Sequence, residues 1–167
     1  MSTRTEKSSI VSRLDDIDIQ ILQILQTNAR ISVKELAALV NLSPTPTYER
    51  WKRLERDGYI RQYVTVLDLE KVHRGFTVFC SVKLRELDTA LVQDFLRIIK
   101  DIPEVAECYH ISGEYDYLLK IYAPDMKYYK YFIVNVLGRV ASIGAIVSTF
   151  VMDEVKNTYE VLSTTEE

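Results

Sequence analysis

Up to about residue 60 the apolar positions fall at helical spacing in three short blocks. From Phe76 onward they fall mainly at alternate positions, interrupted by two further helical stretches. Leu14, Ile17, Ile21, Leu22, Ile24 and Leu25 predict a first helix, with Asp15 as N-cap and acidic residues in its first turn. Asn28-Ala-Arg30 ends it. Ser32 to Glu35 reads as a capping box, the serine hydroxyl and the glutamate carboxylate each satisfying an orphan N–H. Val33, Leu36, Ala37 and Val40 then give one apolar face to a helix of only about two turns, too short to stand without neighbours. Ser43 is placed to cap a third helix, with Pro44 at its first position, where the missing N–H costs nothing, and Pro46 still in the first turn.

On that third helix Thr47, Trp51 and Leu54 share a face expected to bury. Thr45, Glu49, Lys52, Arg53 and Arg56 occupy the opposite side, with Arg50 on its flank. Gly58 stops the helix, and Tyr59 to Leu67 alternates like a short hairpin wing. Three short helices, a tight turn and a wing predict a winged helix-turn-helix over 14–74, preceded by a polar tail, 1–13.

The second half predicts strand, helix, strand, strand, helix, strand. Phe76 to Arg85 alternates; Leu91, Phe95, Ile98 and Ile99 fit a helix ended by Asp101-Ile-Pro103. Val105 to Ile111, a turn at Ser112-Gly-Glu114 and Tyr115 to Ala123 form a hairpin. Pro124-Asp125 opens a helix carrying Tyr129, Phe132, Ile133, Val136 and Leu137; Gly138 and Gly144 bracket its exit, and Ile146 to Val155 is the last strand. This order is the ferredoxin-like βαββαβ plan, over 75–160 with a short tail at 161–167, so the fold class is α+β. In Ala145 to Val155 both strand faces are apolar, which predicts that another subunit covers the row facing away from the helices.

Composition adds limits. The 167 residues are 47% hydrophobic and 27% charged, which excludes disorder and collagen-like repeats. No apolar run approaches the ~18 residues of a membrane helix, and Met1 to Ser12 is polar and mixed in charge, so a cytoplasmic protein is expected. Cys80 and Cys108, without C-x-x-C spacing, read as reduced, buried thiols. The net charge of -3 hides an asymmetry: the first 74 residues are basic by two charges, the remainder acidic by five. A local basic patch binds phosphate while an acidic remainder stays clear.

The basic third helix, directly after a capped helix and a tight turn, points to double-stranded DNA. Arg50, Lys52, Arg53 and Arg56 have the chemistry for phosphates or guanine edges; Thr45 and Thr47 can bond backbone or bases; Ser32 and Ser43 stand at helix N-termini, which favour phosphate. On this reading Arg53→Ala lowers DNA affinity without lowering thermal stability. No catalytic residue or metal ligand set is expected: the only histidines are His73 and His110, and Cys108 beside His110 reads as packing.

Several motifs carry a resemblance: Leu14-Asp-Asp-Ile-Asp18, Arg30-Ile-Ser32, Leu42-Ser-Pro-Thr-Pro46, Glu49-Arg-Trp-Lys-Arg-Leu-Glu55, Ser112-Gly-Glu-Tyr-Asp-Tyr-Leu-Leu119 and Val151-Met-Asp-Glu-Val-Lys156. Together, from about Leu14 to Tyr159, the chain resembles the Lrp/AsnC ("feast-famine") transcriptional regulators. The resemblance implies a DNA-reading N-terminal domain and a C-terminal domain that dimerises through its sheet. It also implies dimers assembling to octamers, and an amino acid bound between dimers as effector, with no other cofactor. Its effector region falls on Gly113, Glu114, Tyr115 and Asp116, with Met126, Thr149, Phe150 and Val151. The turn reads Gly113-Glu114 where the family pattern has Gly-Asp. A glycine turn offers N–H groups to an α-carboxylate, and a carboxylate offers a partner to an α-ammonium. Two alternatives share the pattern: a DNA-architectural protein of low sequence preference, and a decarboxylase of sirohaem on the same fold.

Overall fold

The computed structural model describes residues 14–162; the expected tails at 1–13 and 163–167 lie outside them. The chain divides into two units, one of residues 14–65 with 156–162, the other Val66–Val155. The hydrophobic pattern groups 75–160 together, whereas the segment from Lys156 onward packs with the first unit.

In the first unit, α1 (Asp16–Thr27) starts at a capping box: the Asp15 carboxylate accepts from the Asp18 amide at 2.8 Å and Asp18 reciprocates at 3.2 Å. In α2 (Val33–Leu39) Ser32 and Glu35 form the second box, at 3.2 and 3.0 Å. Asn41 takes the left-handed conformation (φ 55°) that lets the chain reverse in two residues before α3 (Pro44–Arg56). Ile21, Leu25, Leu36, Val40 and Leu54 form the core between the three helices. Burying one such side chain contributes roughly 1.5–3 kcal/mol, which is what keeps the seven-residue α2 helical. Gly58 (φ 81°) ends α3, and the Tyr59 and Ile60 amides both return to the Leu54 carbonyl.

The expected wing is absent. Residues 61–68 form no strand or helix, and Val64, Val66 and Leu67 are exposed. Alternation alone makes no hairpin when neither ladder partner nor buried face is supplied. Residues 161–162 instead lie on α1: the Gln26 amide oxygen accepts from Val161 and Leu162 N–H at 3.0 and 3.2 Å, and its Nε2 donates to the Leu162 carbonyl at 2.5 Å.

The second unit contains β1 (Phe76–Leu84), α4 (Thr89–Lys100), β2 (Val105–His110), β3 (Tyr117–Ala123), α5 (Met126–Asn135), a 3-10 turn (Leu137–Arg139) and β4 (Ile143–Phe150). The sheet is antiparallel in the order β2-β3-β1-β4, the expected ferredoxin-like topology. Val78, Cys80 and Val82 alternate toward α4 and α5, where they meet Phe95, Ile99, Tyr129 and Phe132. The helices cover one face only. The other carries Thr77, Phe79, Ser81 and Lys83 of β1, Leu118, Lys120 and Tyr122 of β3, and Val147 and Thr149 of β4.

Three local expectations are corrected. The last strand begins three residues earlier than the pattern suggests and ends at Phe150, because its partner runs out: Val78 pairs with Phe150, and after the Val151 amide reaches the Thr77 carbonyl little of β1 remains. Gly144 lies inside β4, not at a helix exit; a Cβ there would meet the Arg85 backbone at 3.2 Å. Cys80 is fully buried, its thiol pushed up to about 11 by that burial, but Cys108, on the edge strand β2, is exposed; both are free.

Candidate nucleic-acid interface and effector region

The two faces of α3 have separate tasks. Thr47 and Leu54 are fully buried, and the Thr47 hydroxyl donates to the Ser43 carbonyl at 2.9 Å. Thr45, Tyr48, Glu49, Lys52 and Arg56 are exposed and follow one another at i, i+3 and i+4 spacing along a single outward row. Lys52 is held by Glu55 at 2.7 Å, with its ammonium 5.7 Å from the Tyr48 ring centre. Arg56 lies 3.4 Å from Asp57 and is 73% exposed.

The remaining two arginines turn inward. Asp18 of α1 is 1% exposed; one carboxylate oxygen accepts from Arg50 Nη1 at 2.9 Å and the other pairs with Arg53 Nη2. Arg50 also reaches Asp15 at 2.6 Å. A buried carboxylate without cations is costly, so the pair of guanidiniums fixes both the depth of α1 and the rotation of α3 about its axis. The Asp18 amide and, after it, the Arg50 guanidinium hold the Asp15 carboxyl below its usual range. That contribution is complete above the ordinary aspartate value and is lost as pH falls through the depressed one.

Each residue of the expected DNA-contact set therefore has a definite place. Thr45, Lys52 and Arg56 are on the outward row; Arg50 and Arg53 serve the Asp18 cluster; Thr47 is inside. Ser32 spends its hydroxyl on the α2 cap, and Ser43 sits at the N-cap of α3 without a side-chain cap bond. Sequence reasoning missed Asp18 and Tyr48 as parts of the arrangement, and it put Glu49 on the outward side without counting it among the contact residues. The signal for Asp18 is present in the chain: it falls on the same helical stripe as Leu14, Ile21 and Leu25, where an unpartnered carboxylate is out of place. Beyond α3, Tyr63 is pinned by Trp51 Nε1, which donates to its hydroxyl at 2.6 Å, and by its own bond to Glu55 at 2.9 Å.

In the second unit the expected effector residues form two groups. Gly113 (φ 118°) shapes the turn between β2 and β3, with Glu114 exposed and Tyr115 half-buried. The Asp116 carboxylate accepts from the Leu84 amide at 2.7 Å, which places this group at the C-terminal end of β1. Phe150 stands with Phe76 and Tyr129, ring centres 5.7 and 5.6 Å away, and Thr149, Val151 and Met126 are also at the opposite end of β1. At ~3.3 Å per strand residue the groups are about 20 Å apart within one chain. His110 stacks on Tyr117 at 5.1 Å and is exposed; no group of three potential metal ligands occurs among the described residues, and no described helix is long and apolar enough to cross a membrane.

A three-helix unit with a helix-turn-helix at its centre, joined to a ferredoxin-like sheet, defines a class of two-domain regulators. Residues 14–55 match the AsnC-type helix-turn-helix domain and residues 77–161 the Lrp/AsnC ligand binding domain: the chain belongs to the Lrp/AsnC family. It is 36% identical over 145 residues to the DNA-binding transcriptional activator DecR of Escherichia coli strain K12, covering 87% of this chain and 95% of that protein. To the leucine-responsive regulatory protein of the same strain it is 38% identical over 143 residues, covering 86% and 87%. A transcriptional regulator of Neisseria meningitidis, solved in complex with L-methionine, superimposes with a TM-score of 0.87 at 37% identity, covering 89% of this chain and 96% of that one.

The Asp18 cluster reverses the expectation for Arg53→Ala, which now costs stability: about 1 kcal/mol, since Arg50 stays and the site is partly exposed. Arg50→Ala/Arg53→Ala strips the buried carboxylate of both cations and costs about 3 kcal/mol. Urea unfolding followed by circular dichroism measures both; a double variant as stable as the parent contradicts the role given to Asp18.

Proposed function

We propose that the protein is a sequence-specific transcriptional regulator whose α3 enters the major groove of double-stranded DNA. The observation that carries this reading is the outward row Thr45, Tyr48, Glu49, Lys52 and Arg56, exposed on a helix whose other side is locked to α1. A recognition helix has to be held rigidly by its partner helix and present side chains that reach phosphates and base edges. Ser32, at the start of α2, and Ser43, at the start of α3, lie where helix N-termini favour phosphate. On this reading the first unit, residues 14–65 with 156–162, reads DNA, and the second, Val66–Val155, assembles and senses.

Two copies pair through the uncovered sheet face in this reading. Phe79, Leu118, Tyr122 and Val147 lie there, with Tyr109 across from Leu118 and the Lys120–Glu107 ion pair beside them, and an apolar row of this kind gains most from a second copy of itself. A dimer brings two recognition helices to successive major grooves of a near-palindromic site.

Gly113, Glu114, Tyr115 and Asp116 of one copy then meet Met126, Thr149, Phe150 and Val151 of another in an assembly as large as an octamer, with a free amino acid between them. The separation of about 20 Å within one chain, roughly six strand residues, supports a site completed only between copies. The L-methionine bound to the Neisseria relative supports the ligand class. No catalytic step, metal or further cofactor is assigned, and the protein acts where the chromosome is, in the cytoplasm. An amino acid that binds one assembly state better than another shifts the population, and DNA affinity moves with it.

Two measurements test the two halves. Lys52→Ala/Arg56→Ala weakens duplex binding, and the slope of log affinity against log salt flattens by roughly 0.9 for each phosphate that is no longer neutralised. An unchanged slope in fluorescence anisotropy removes those side chains from the interface. Sedimentation with a panel of free amino acids, L-methionine included, changes the assembly mass or DNA affinity with at least one; no response to any of them removes the sensor.

A further inference from the structure

The charges on the outward row of α3 are unevenly committed. Every cation of the helix has a carboxylate: Arg50 is on Asp15 and Asp18, Arg53 on Asp18, Lys52 on Glu55 and Arg56 on Asp57. Glu49 has no such partner. It is exposed, in the middle of the row beside Tyr48 and one turn after Thr45, and no hydrogen bond or ion pair involves it among the described residues. Its i+3 and i+4 neighbours, Lys52 and Arg53, are the residues that ordinarily neutralise a helical glutamate, and here both are turned elsewhere.

A bare carboxylate at the centre of a face that meets a polyanion is repelled by every phosphate within the screening length. Only a base edge can answer it, and the four edges differ. An ionised carboxylate accepts hydrogen bonds and donates none. In the major groove guanine offers two acceptors, thymine an acceptor and a methyl group, and adenine a donor beside the N7 acceptor. Cytosine offers the N4 amino group as a donor with no acceptor of its own.

Resting on the reading of α3 as the recognition helix, we infer that Glu49 is a specificity-determining residue that accepts a hydrogen bond from the N4 amino group of a cytosine in each half-site. The carboxylate discourages binding wherever that amino group is missing. Glu49 thereby raises selectivity at the expense of non-specific affinity, while Lys52 and Arg56 supply attraction to the backbone.

Selection from a randomised duplex library tests this with the full chain and with Glu49→Gln and Glu49→Ala, both at an exposed position that leaves the helical core untouched. The parent enriches a half-site in which one position is cytosine by about tenfold over the other bases, a typical discrimination for one good base contact. With Glu49→Gln that same position shifts to adenine, whose N6 and N7 pair with a carboxamide. With Glu49→Ala it becomes degenerate while the other positions of the motif stay as in the parent. The inference is overturned if both variants enrich the parent's base at every position, or if the position that responds is not cytosine in the parent. Enrichment of no sequence by any of the three proteins overturns the recognition-helix reading itself, and the role of Glu49 with it.

Discussion

A carboxylate taken out of water has to be given cations in return, and in this chain that carboxylate is Asp18. The three helices of the first unit share a small core, and α2 is only seven residues long. Apolar contacts are non-directional and bring such helices together without by themselves naming which side chains of α3 face out. The bonds from Arg50 and Arg53 to one buried aspartate supply that direction. With two arginines committed inward, the residues one third of a turn away are the ones presented to a partner. If α3 reads DNA as proposed, what it reads is set partly by a side chain on a helix that need not touch the partner.

The second unit answers to a different constraint. β1 lies second from one edge and pairs on both sides, so its register fixes β3 and β4 together. Helices on a single face leave the opposite face uncovered, the face that the proposed function gives to a second copy, and the same strand holds the two expected effector groups at its opposite ends. In the proposed function sensing and assembly are thereby one geometric problem: a ligand that needs both groups needs more than one chain.

Much of this is legible in the sequence where the cause is local. The Asp15 N-cap, the Ser32–Glu35 capping box, the glycine stop at Gly58 and the alternate burial along β1 and β3 depend on nearby residues, and the order of elements follows from them. The failures share a cause, which is a partner distant in sequence. A helical wheel separates the faces of α3 but cannot show that Arg50 and Arg53 meet an aspartate 32 and 35 residues away. Alternation over Tyr59 to Leu67 reads as a hairpin until the ladder partner is found missing. The end of β4 is decided by where β1 stops, and the exposure of Cys108 by the edge position of β2. Spacing alone places Glu49 on the correct face; that it is unpaired there is a fact of three dimensions.

Residue-resolved chemical labelling distinguishes an outward row of α3 that meets DNA from clamped arginines that do not. Lysine- and arginine-directed reagents are applied with and without a bound duplex, and modification is read by mass spectrometry. Lys52 and Arg56 label readily in the free protein and become protected by the duplex, whereas Arg50 and Arg53 label slowly in both states. Rapid labelling of Arg50 and Arg53 in the free protein, or a bound duplex that leaves Lys52 and Arg56 as reactive as before, would contradict the account.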